Sequence, residues 1–330
     1  MKPRTAIKIC LGVVIIAMAQ LSVGETPQTK DKGKSADEAA TKGTPQSGRS
    51  AQTMVPATFP VGKEPYGVAF DGAFIWVANF RSDTVSKVRP SDGASLGTFN
   101  VGRGPIGVVS DGTNIWVTNN IGGSVTELRA SDGKILATFE VGPGPFWPAF
   151  DGANLWIPNG RHTLTKLRAS DGKNLGNFTV GYTPVAVVFG GDYVWVTNEG
   201  DGTVSKVRPS DGSVVGTFKV GFQPLGIAFD GVDLWIANRG EGTVSKLRAG
   251  DGMLLGTFKA PGNPYGVTFD GVHIWVTGAP YVCEFLASDG SRVGLFSSPA
   301  NTTGVAFDGS NVWVAEYNIN AVGKILGKLG

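Results

Sequence analysis

The chain has 330 residues, 41% of them hydrophobic, which is enough for a sizeable core, and 29 Lys and Arg against 27 Asp and Glu. Near-neutrality argues against the basic footprint of a nucleic-acid-binding protein, and two cysteines argue against a disulfide-stapled scaffold. Length alone would allow two domains, but a fixed internal repeat takes precedence over length.

Residues 1–24 carry Lys2, Arg4 and Lys8 and no acid, followed by an apolar run from Ile9 to Ala19 and small residues at Ala17-Met18-Ala19 and Ser22-Val23-Gly24. This pattern predicts a secretory signal peptide. The alternative is an uncleaved anchor, for which the run is shorter than the roughly 20 apolar residues of a spanning helix. The expected location is therefore secreted or periplasmic, with no integral membrane span in the mature chain. Without the first 24 residues, 26 bases face 27 acids and Cys283 stands alone. Residues 25–54 are polar, mixed in charge and nearly devoid of large apolar side chains. Such a stretch cannot bury enough surface to offset ordering entropy and is expected to be a disordered linker.

From residue 55 to 330 the chain repeats. Tryptophans at 76, 116, 156, 195, 235, 275 and 313 each follow a phenylalanine by seventeen residues, at 59, 99, 139, 178, 218, 258 and 296. Seven copies of a unit of 38 to 40 residues result, reading roughly P-x-G-V-A-F-D-G-x-x-I-W-V-A-N-x-x-x-G-T-V-S-K-L-R-x-S-D-G-x-x-L-G-T-F-x-V-G. In the first copy four runs have strand character: Tyr66 to Phe70, Phe74 to Asn79, Thr84 to Arg89 and Leu96 to Val101. Asp71-Gly72 and Ser91-Asp92-Gly93 separate them, as tight hairpin turns require. The second run, Ile75-Trp76-Val77, is apolar on both faces, which fits a sheet sandwiched between neighbours. The predicted fold is all-β, a seven-bladed propeller of four-stranded antiparallel blades. The last copy lacks a fourth strand before Gly330, whereas residues 55–61 match the fourth-strand pattern and precede any first strand. They are expected to pair beside Ala321 to Leu326 and close the ring, leaving no open stack edge.

The runs WVANF, WVTNN, WVTNE and WIANR after P-x-G-V-A-F-D-G resemble the YVTN-type β-propeller repeats of secreted bacterial proteins. The resemblance covers residues 55–328 and implies a fold more than an activity, because the wider group includes ligand and protein binders as well as streptogramin B lyases. In those lyases a Glu ends the second strand of one blade, a His opens its first strand, and magnesium assists an elimination. Glu316 looks like that Glu, but the His position falls at Thr302 or Thr303, neither a base near neutral pH.

Residues repeated in most copies are expected to build blades. The Asp residues at 92, 132, 171, 211, 251 and 289 lie in hairpin turns without calcium-ligand spacing. The Arg residues at 89, 129, 168, 208 and 248 are expected to pair with them locally. Gly102-x-Gly104-x-x-Gly107 formally matches a dinucleotide fingerprint but opens no helix. His162 and His273 fall in loops of opposite faces and cannot share a metal, and no catalytic-serine motif is present. Cys283 reads as a small strand residue.

Function is expected where a blade departs from the pattern, on the face formed by the inter-blade loops and the loops after the tryptophan strands. Phe146-Trp147-Pro148 replaces x-Gly-Val in the third copy, with Arg161 and His162 in the facing loop. Trp147 is either an aromatic platform at the mouth or local filling. The Asn column at 79, 119, 159, 198 and 238 becomes Gly278 and Glu316 in the last two copies, near Glu199, Arg239, Tyr281 and Tyr317. These candidates suit a small polar ligand or a partner protein's loop, or else form an ordinary solvated rim. The composite expectation is a non-catalytic, monomeric binding propeller without a cofactor. The alternative is a metal-assisted lyase using magnesium. Nucleic-acid binding and a passive envelope role rank lower, the propeller itself counting 21 bases against 23 acids.

Overall fold

The computed structural model describes residues 52–53 and 57–326; the expected signal peptide and most of the expected linker lie outside the described residues. Seven four-stranded antiparallel blades follow one another along the chain. Blade 1 comprises Pro65–Phe70, Ile75–Asn79, Thr84–Val88 and Ser95–Asn100. Blades 2 to 6 occupy 105–140, 149–179, 184–219, 224–259 and 267–297. Blade 7 combines residues 302–326 with Ala57–Pro60, which runs antiparallel to Ala321–Leu326 with Phe59 opposite Val322. The expected closure is observed. First strands of successive blades contact one another around the axis, blade 7 against blade 1 included. One boundary lies earlier than the sequence suggested: Gln52–Thr53, assigned to the linker, pairs in parallel with Phe296–Ser297 on the outer edge of blade 6.

Each blade is organised around its tryptophan. In blade 1, Asp71 Oδ1 accepts the backbone N–H groups of Ala73 and Phe74, while its Oδ2 accepts Trp76 Nε1–H at 2.7 Å. The same side-chain bond recurs in blades 2, 3, 5, 6 and 7. Blade 4 has Gly190-Gly191 in place of Asp-Gly, and there the Gly190 carbonyl accepts from Trp195 instead. A buried indole N–H left without such a partner is costly. The indole also packs on the fourth-strand phenylalanine of the same blade at 5.5–5.9 Å between centroids, stacked or tilted by 23–40°, from Trp76 with Phe99 to Trp313 with Phe59. Each such pair contributes about 1 kcal/mol beyond area burial.

Two further contacts join blade to blade. The ring of Phe59 lies against Gly93, in the last turn of the next blade, where a Cβ would overlap it and where φ is +72°. Gly133, Gly172, Gly212, Gly252 and Gly290 meet the preceding blade's phenylalanine in the same way. Third-strand lysines cross in the same direction: Lys87 lies over Trp76 at 5.2 Å and donates to the Ala130 and Ser131 carbonyls of blade 2. Lys166, Lys206, Lys246 and Lys324 repeat the bridge, the last reaching Pro90 of blade 1 across the closure. Blades 2 and 6 carry Glu127 and Glu284 at this position.

Deleting residues 55–61 should therefore strongly destabilise the fold, and Phe59→Ala should cost about 2–3 kcal/mol by urea denaturation, whereas deleting 25–50 should leave the midpoint unchanged. Equal tolerance of the two deletions would refute closure by the N-terminal strand.

Candidate functional site

Repetition ends at the axis. The innermost strands crowd there, so the glycine of Pro-x-Gly is sterically required: a Cβ on Gly67, Gly226 or Gly304 would overlap the backbone carbonyl of the next blade's first strand. That position is Gly in five blades, Trp147 in blade 3 and Ala186 in blade 4, and the residue before it varies freely, as Tyr66, Ile106, Phe146, Val185, Leu225, Tyr265 and Thr303 in blade order. Six of these join one apolar cluster with Phe80, Trp147 and Tyr317, to which all seven blades contribute. These side chains form an apolar plug that joins the blades around the axis.

Trp147 replaces the axial glycine of blade 3. Its side chain cannot occupy the glycine's place, and Pro148 removes a backbone donor, so the first strand of blade 3 shrinks to Ala149–Phe150. Trp147 N–H instead donates to Val185 O of blade 4 at 3.1 Å, and Trp147 bridges Ala186 in parallel. Its ring is fully buried, 5.7 Å from the Phe146 ring, with Nε1 lacking a hydrogen-bond partner. Of the two sequence readings, the structure shows filling: Trp147 presents no platform to solvent.

Beside the plug, the residue following the Asn column differs from blade to blade, as Phe80, Asn120, Gly160, Glu199, Arg239, Ala279 and Tyr317, of which Phe80 and Tyr317 pack with the plug. Glu199 and Arg239 are half-buried on neighbouring blades, each fixed through its backbone N–H, to Thr183 O at 2.9 Å and Gln223 O at 3.0 Å. The Arg239 guanidinium lies 5.1 Å from the centroid of Tyr265. Burial pushes the Glu199 carboxyl above its ordinary range, and Arg239 opposes this. Tyr66, buried in the plug, stands edge-on to Tyr317 at 5.1 Å and to Phe80 at 5.6 Å. Burial, then the neighbouring phenols of Tyr317 and Tyr265, raise the Tyr66 phenol. Glu64 pairs with Arg81 at 3.1 Å on the rim beside them.

The structure thus brings Phe146, Glu199, Arg239 and Tyr317 to one mouth and adds Tyr66, Phe80 and Tyr265. The other candidates lie apart. Arg161 and His162 are exposed on the blade 3 loop, where the His162 ring meets Tyr182 at 5.1 Å. Tyr281 begins the third strand of blade 6 and pairs with Ser297 on the outermost strand, away from the axis. His273 sits on the opposite face, 3.2 Å from Asp270 Oδ2. Cys283 is buried in its strand, and burial pushes the thiol up to about 12. The repeated Arg and Asp residues pair locally at 3.0–3.1 Å as expected. Exposed pairs of this kind contribute little.

Glu316 is sealed inside blade 7. In blades 1, 2, 4 and 5 the equivalent Asn donates to two third-strand hydroxyls, as Asn79 does to Thr84 and Ser86. Blade 7 has Ala321 and Gly323 there, and the Glu316 carboxyl lies over Gly323. It is fully buried and neither oxygen has a hydrogen-bond partner within 3.5 Å. Burial pushes its carboxyl up to about 7, with Ser298 opposing. Thr302 and Thr303, at the histidine position of the lyases, donate to the Gly278 and Pro65 carbonyls. These residues do not fit a magnesium site, and no three His, Cys, Asp or Glu side chains cluster as metal ligands among the described residues.

No family model and no curated protein matches the chain in sequence. Solved structures do match. A streptogramin B lyase structure is 21% identical, with a TM-score of 0.69 over 82% of this chain and 97% of that one. A selenomethionine-substituted virginiamycin B lyase from Staphylococcus aureus is 18% identical, with a TM-score of 0.71 over 82% and 98%. Kuenenia stuttgartiensis hydrazine synthase is 15% identical, with a TM-score of 0.69 over 87% and 100%. At these identities the likeness establishes the seven-bladed propeller fold alone. No helix among the described residues is long and apolar enough to cross a membrane.

Because the carboxyl of Glu316 in the folded protein is held above its ordinary value of 4.5, the folded state binds the extra proton. Stability should fall as pH rises from about 4.5 to 7 and stay low above that, by on the order of 3 kcal/mol. Glu316→Gln should flatten this dependence and be the more stable protein at pH 8. Urea denaturation at pH 5 and 8 checks it; a Gln variant less stable at pH 8 would mean that the carboxylate is ionised and paired.

Proposed function

We propose that this chain is a secreted or periplasmic binding propeller, akin to YVTN-type proteins, that holds its ligand in the upper mouth without catalysing a reaction. The observation that carries this reading is the contrast between columns. Trp, Asp, Phe, Lys and turn glycines recur because they build blades. The mouth positions carry a carboxylate, a guanidinium and three tyrosines, each on its own blade. An apolar floor with a few convergent polar groups is the usual composition of a ligand site.

The lyase alternative loses support from the same geometry. Glu316 faces the blade interior and both threonines are engaged with carbonyls, so neither member of an acid–base pair is open to a substrate. Glu316, His162 and Trp147 are splayed across blade 7, a rim loop and the plug. The solved lyases, among them an inactive virginiamycin B lyase variant with quinupristin, share the fold and leave the activity to their own residues.

A thermal-shift screen of peptides, amino acids, saccharides, cyclic depsipeptides and divalent metals tests the reading. A bound ligand should raise the melting temperature of the native protein, and Tyr66→Leu with Tyr317→Leu should abolish the shift, while Val272→Ser on the opposite face should not. Metal-dependent turnover of a depsipeptide, lost in Glu316→Gln, would replace this reading with the lyase.

A further inference from the structure

One seam of the ring is built differently from the others. At six blade boundaries the fourth-strand phenylalanine of one blade seats a turn glycine of the next, from Phe59 against Gly93 to Phe258 against Gly290. Among the described residues, Phe296 of blade 6 meets no such glycine in blade 7. The reason is topological. That glycine belongs to the turn joining third and fourth strands, and blade 7 takes its third strand from Ala321–Leu326 and its fourth from Ala57–Pro60. The lysine bridge is missing from the same seam, because Glu284 stands in the lysine column of blade 6. Blade 2 also lacks the lysine, at Glu127, but keeps the seat of Phe139 against Gly172. Only the seam between blades 6 and 7 lacks both contacts among the described residues.

The deficit lies on the outer side of the ring. Near the axis the seam is held, with Thr302 Oγ1 donating to Gly278 O at 2.6 Å and accepting from Gly278 N–H at 3.1 Å. An apolar core joins Trp275, Val282 and Phe296 of blade 6 to Val305, Val312 and Ile325 of blade 7. On the outer side, Gln52–Thr53 adds a fifth strand to blade 6, in parallel, with Gln52 opposite Phe296 and Thr53 opposite Ser297. The same stretch of sequence supplies Ala57–Pro60 to blade 7. One segment thus pairs with the outer strand of blade 6 and forms the outer strand of blade 7, the two blades that meet at the seam. Burial agrees with this. In the outer strands of blades 1 to 5, four of six residues are exposed, whereas none from Val293 to Ser297 is. Phe296, without a glycine to seat, is the one fourth-strand phenylalanine of the seven that is buried.

We propose that Gln52–Thr53 is a releasable clasp on this seam. It holds the outer strand of blade 6 in place, and its displacement opens blade 6 locally while Ala57–Pro60 keeps the ring closed. A short pairing at a sheet edge opens at far lower cost than the whole fold. The edge it leaves presents unpaired backbone N–H and C=O groups, which another extended segment can take up.

Cys283 reports on the opening. It lies on the third strand of blade 6 opposite Leu295 of the outer strand and is buried, so a thiol reagent reaches it only when the blade opens. In the full chain carrying Cys10→Ser, Gln52→Pro together with Thr53→Pro removes both backbone donors of the added strand and should speed labelling of Cys283 about tenfold or more. Deleting residues 25–53 should do the same, whereas deleting 25–50 should not. A second probe, Ser205→Cys with Cys283→Ser, occupies the equivalent column of blade 4 and should keep its labelling rate in every one of these variants. Unchanged labelling of Cys283 on loss of residues 52–53 overturns the proposal. So does equal acceleration of both probes, which would mean that the segment stabilises the whole ring and guards no particular seam.

Discussion

Everything in this propeller depends on how one tryptophan per blade is held. An indole buried at the centre of a sheet must satisfy its N–H, and here the Asp of the preceding turn does so with the oxygen left over from organising that turn. The turn, the second strand and the core contact are therefore one unit, which explains why Asp-Gly and Trp keep a fixed spacing of five residues. The phenylalanine on the other edge transmits this order outward. It stacks on its own tryptophan and seats the turn glycine of the next blade, so no blade is complete until its neighbour is in place. The lysine bridge adds a polar contact in the same direction, from a third strand to carbonyls of the following turn. Such nearest-neighbour coupling is what makes a repeat protein stable only as an array, and closure by Ala57–Pro60 supplies the one interface that an open array would lack.

This arrangement assigns chemistry by radius. Mid-blade positions are committed to tryptophan, phenylalanine and lysine, and the axial glycines are committed by crowding. What remains free is the axis-facing residue of Pro-x-Gly and the residue after the Asn column. Residues of both columns join the plug, so variation at two separate places in the repeat becomes one cluster in three dimensions. The site is composed of residues whose sequence positions look like noise around a motif.

That distribution also explains what the sequence disclosed. Seven blades, four strands in each and the permuted closure were legible because the Trp and Phe columns have a strict period and Phe59 had no blade of its own. The strand bounds of blade 1 fell within a residue of expectation. Glu199, Arg239 and Tyr317 stand out in the sequence as departures at a loop position. Tyr66 and Tyr265 do not stand out, because their column has no consensus from which to depart; only recognising that Pro-x-Gly forms the innermost strand places them in the plug. Trp147 misled in the other direction. It is the tryptophan outside the period, yet its place on an axial glycine column sends it into the plug. The lysine bridge was passed over because Lys in a strand resembles a solvated residue until its neighbour's carbonyls are seen.

Blades 6 and 7 show that departures from the repeat come in compensated sets. Where Asn occupies its column, the glycine of the incoming loop lies so close that a Cβ would overlap the amide, as at Gly62 against Asn79. Blade 6 exchanges that Asn for Gly278 and the loop glycine for Pro261; blade 7 exchanges them for Glu316 and Pro299. Once the amide is gone, the glycine constraint is gone with it, and proline can rigidify the loop at no steric cost. In blade 7 the exchange extends to Ala321 and Gly323, whose lost hydroxyls make room for the longer carboxyl side chain. Glu316 is thus one member of a set of substitutions that interlock around it, and its location is explained by packing before any reaction is invoked. The mouth residues differ in kind: nothing beneath them changes to accommodate Glu199 or Arg239, whose neighbours in the Asn column make the same hydrogen bonds as in blade 1. A departure that the scaffold compensates belongs to the fold, and one that it leaves uncompensated at a half-buried surface is available to a ligand.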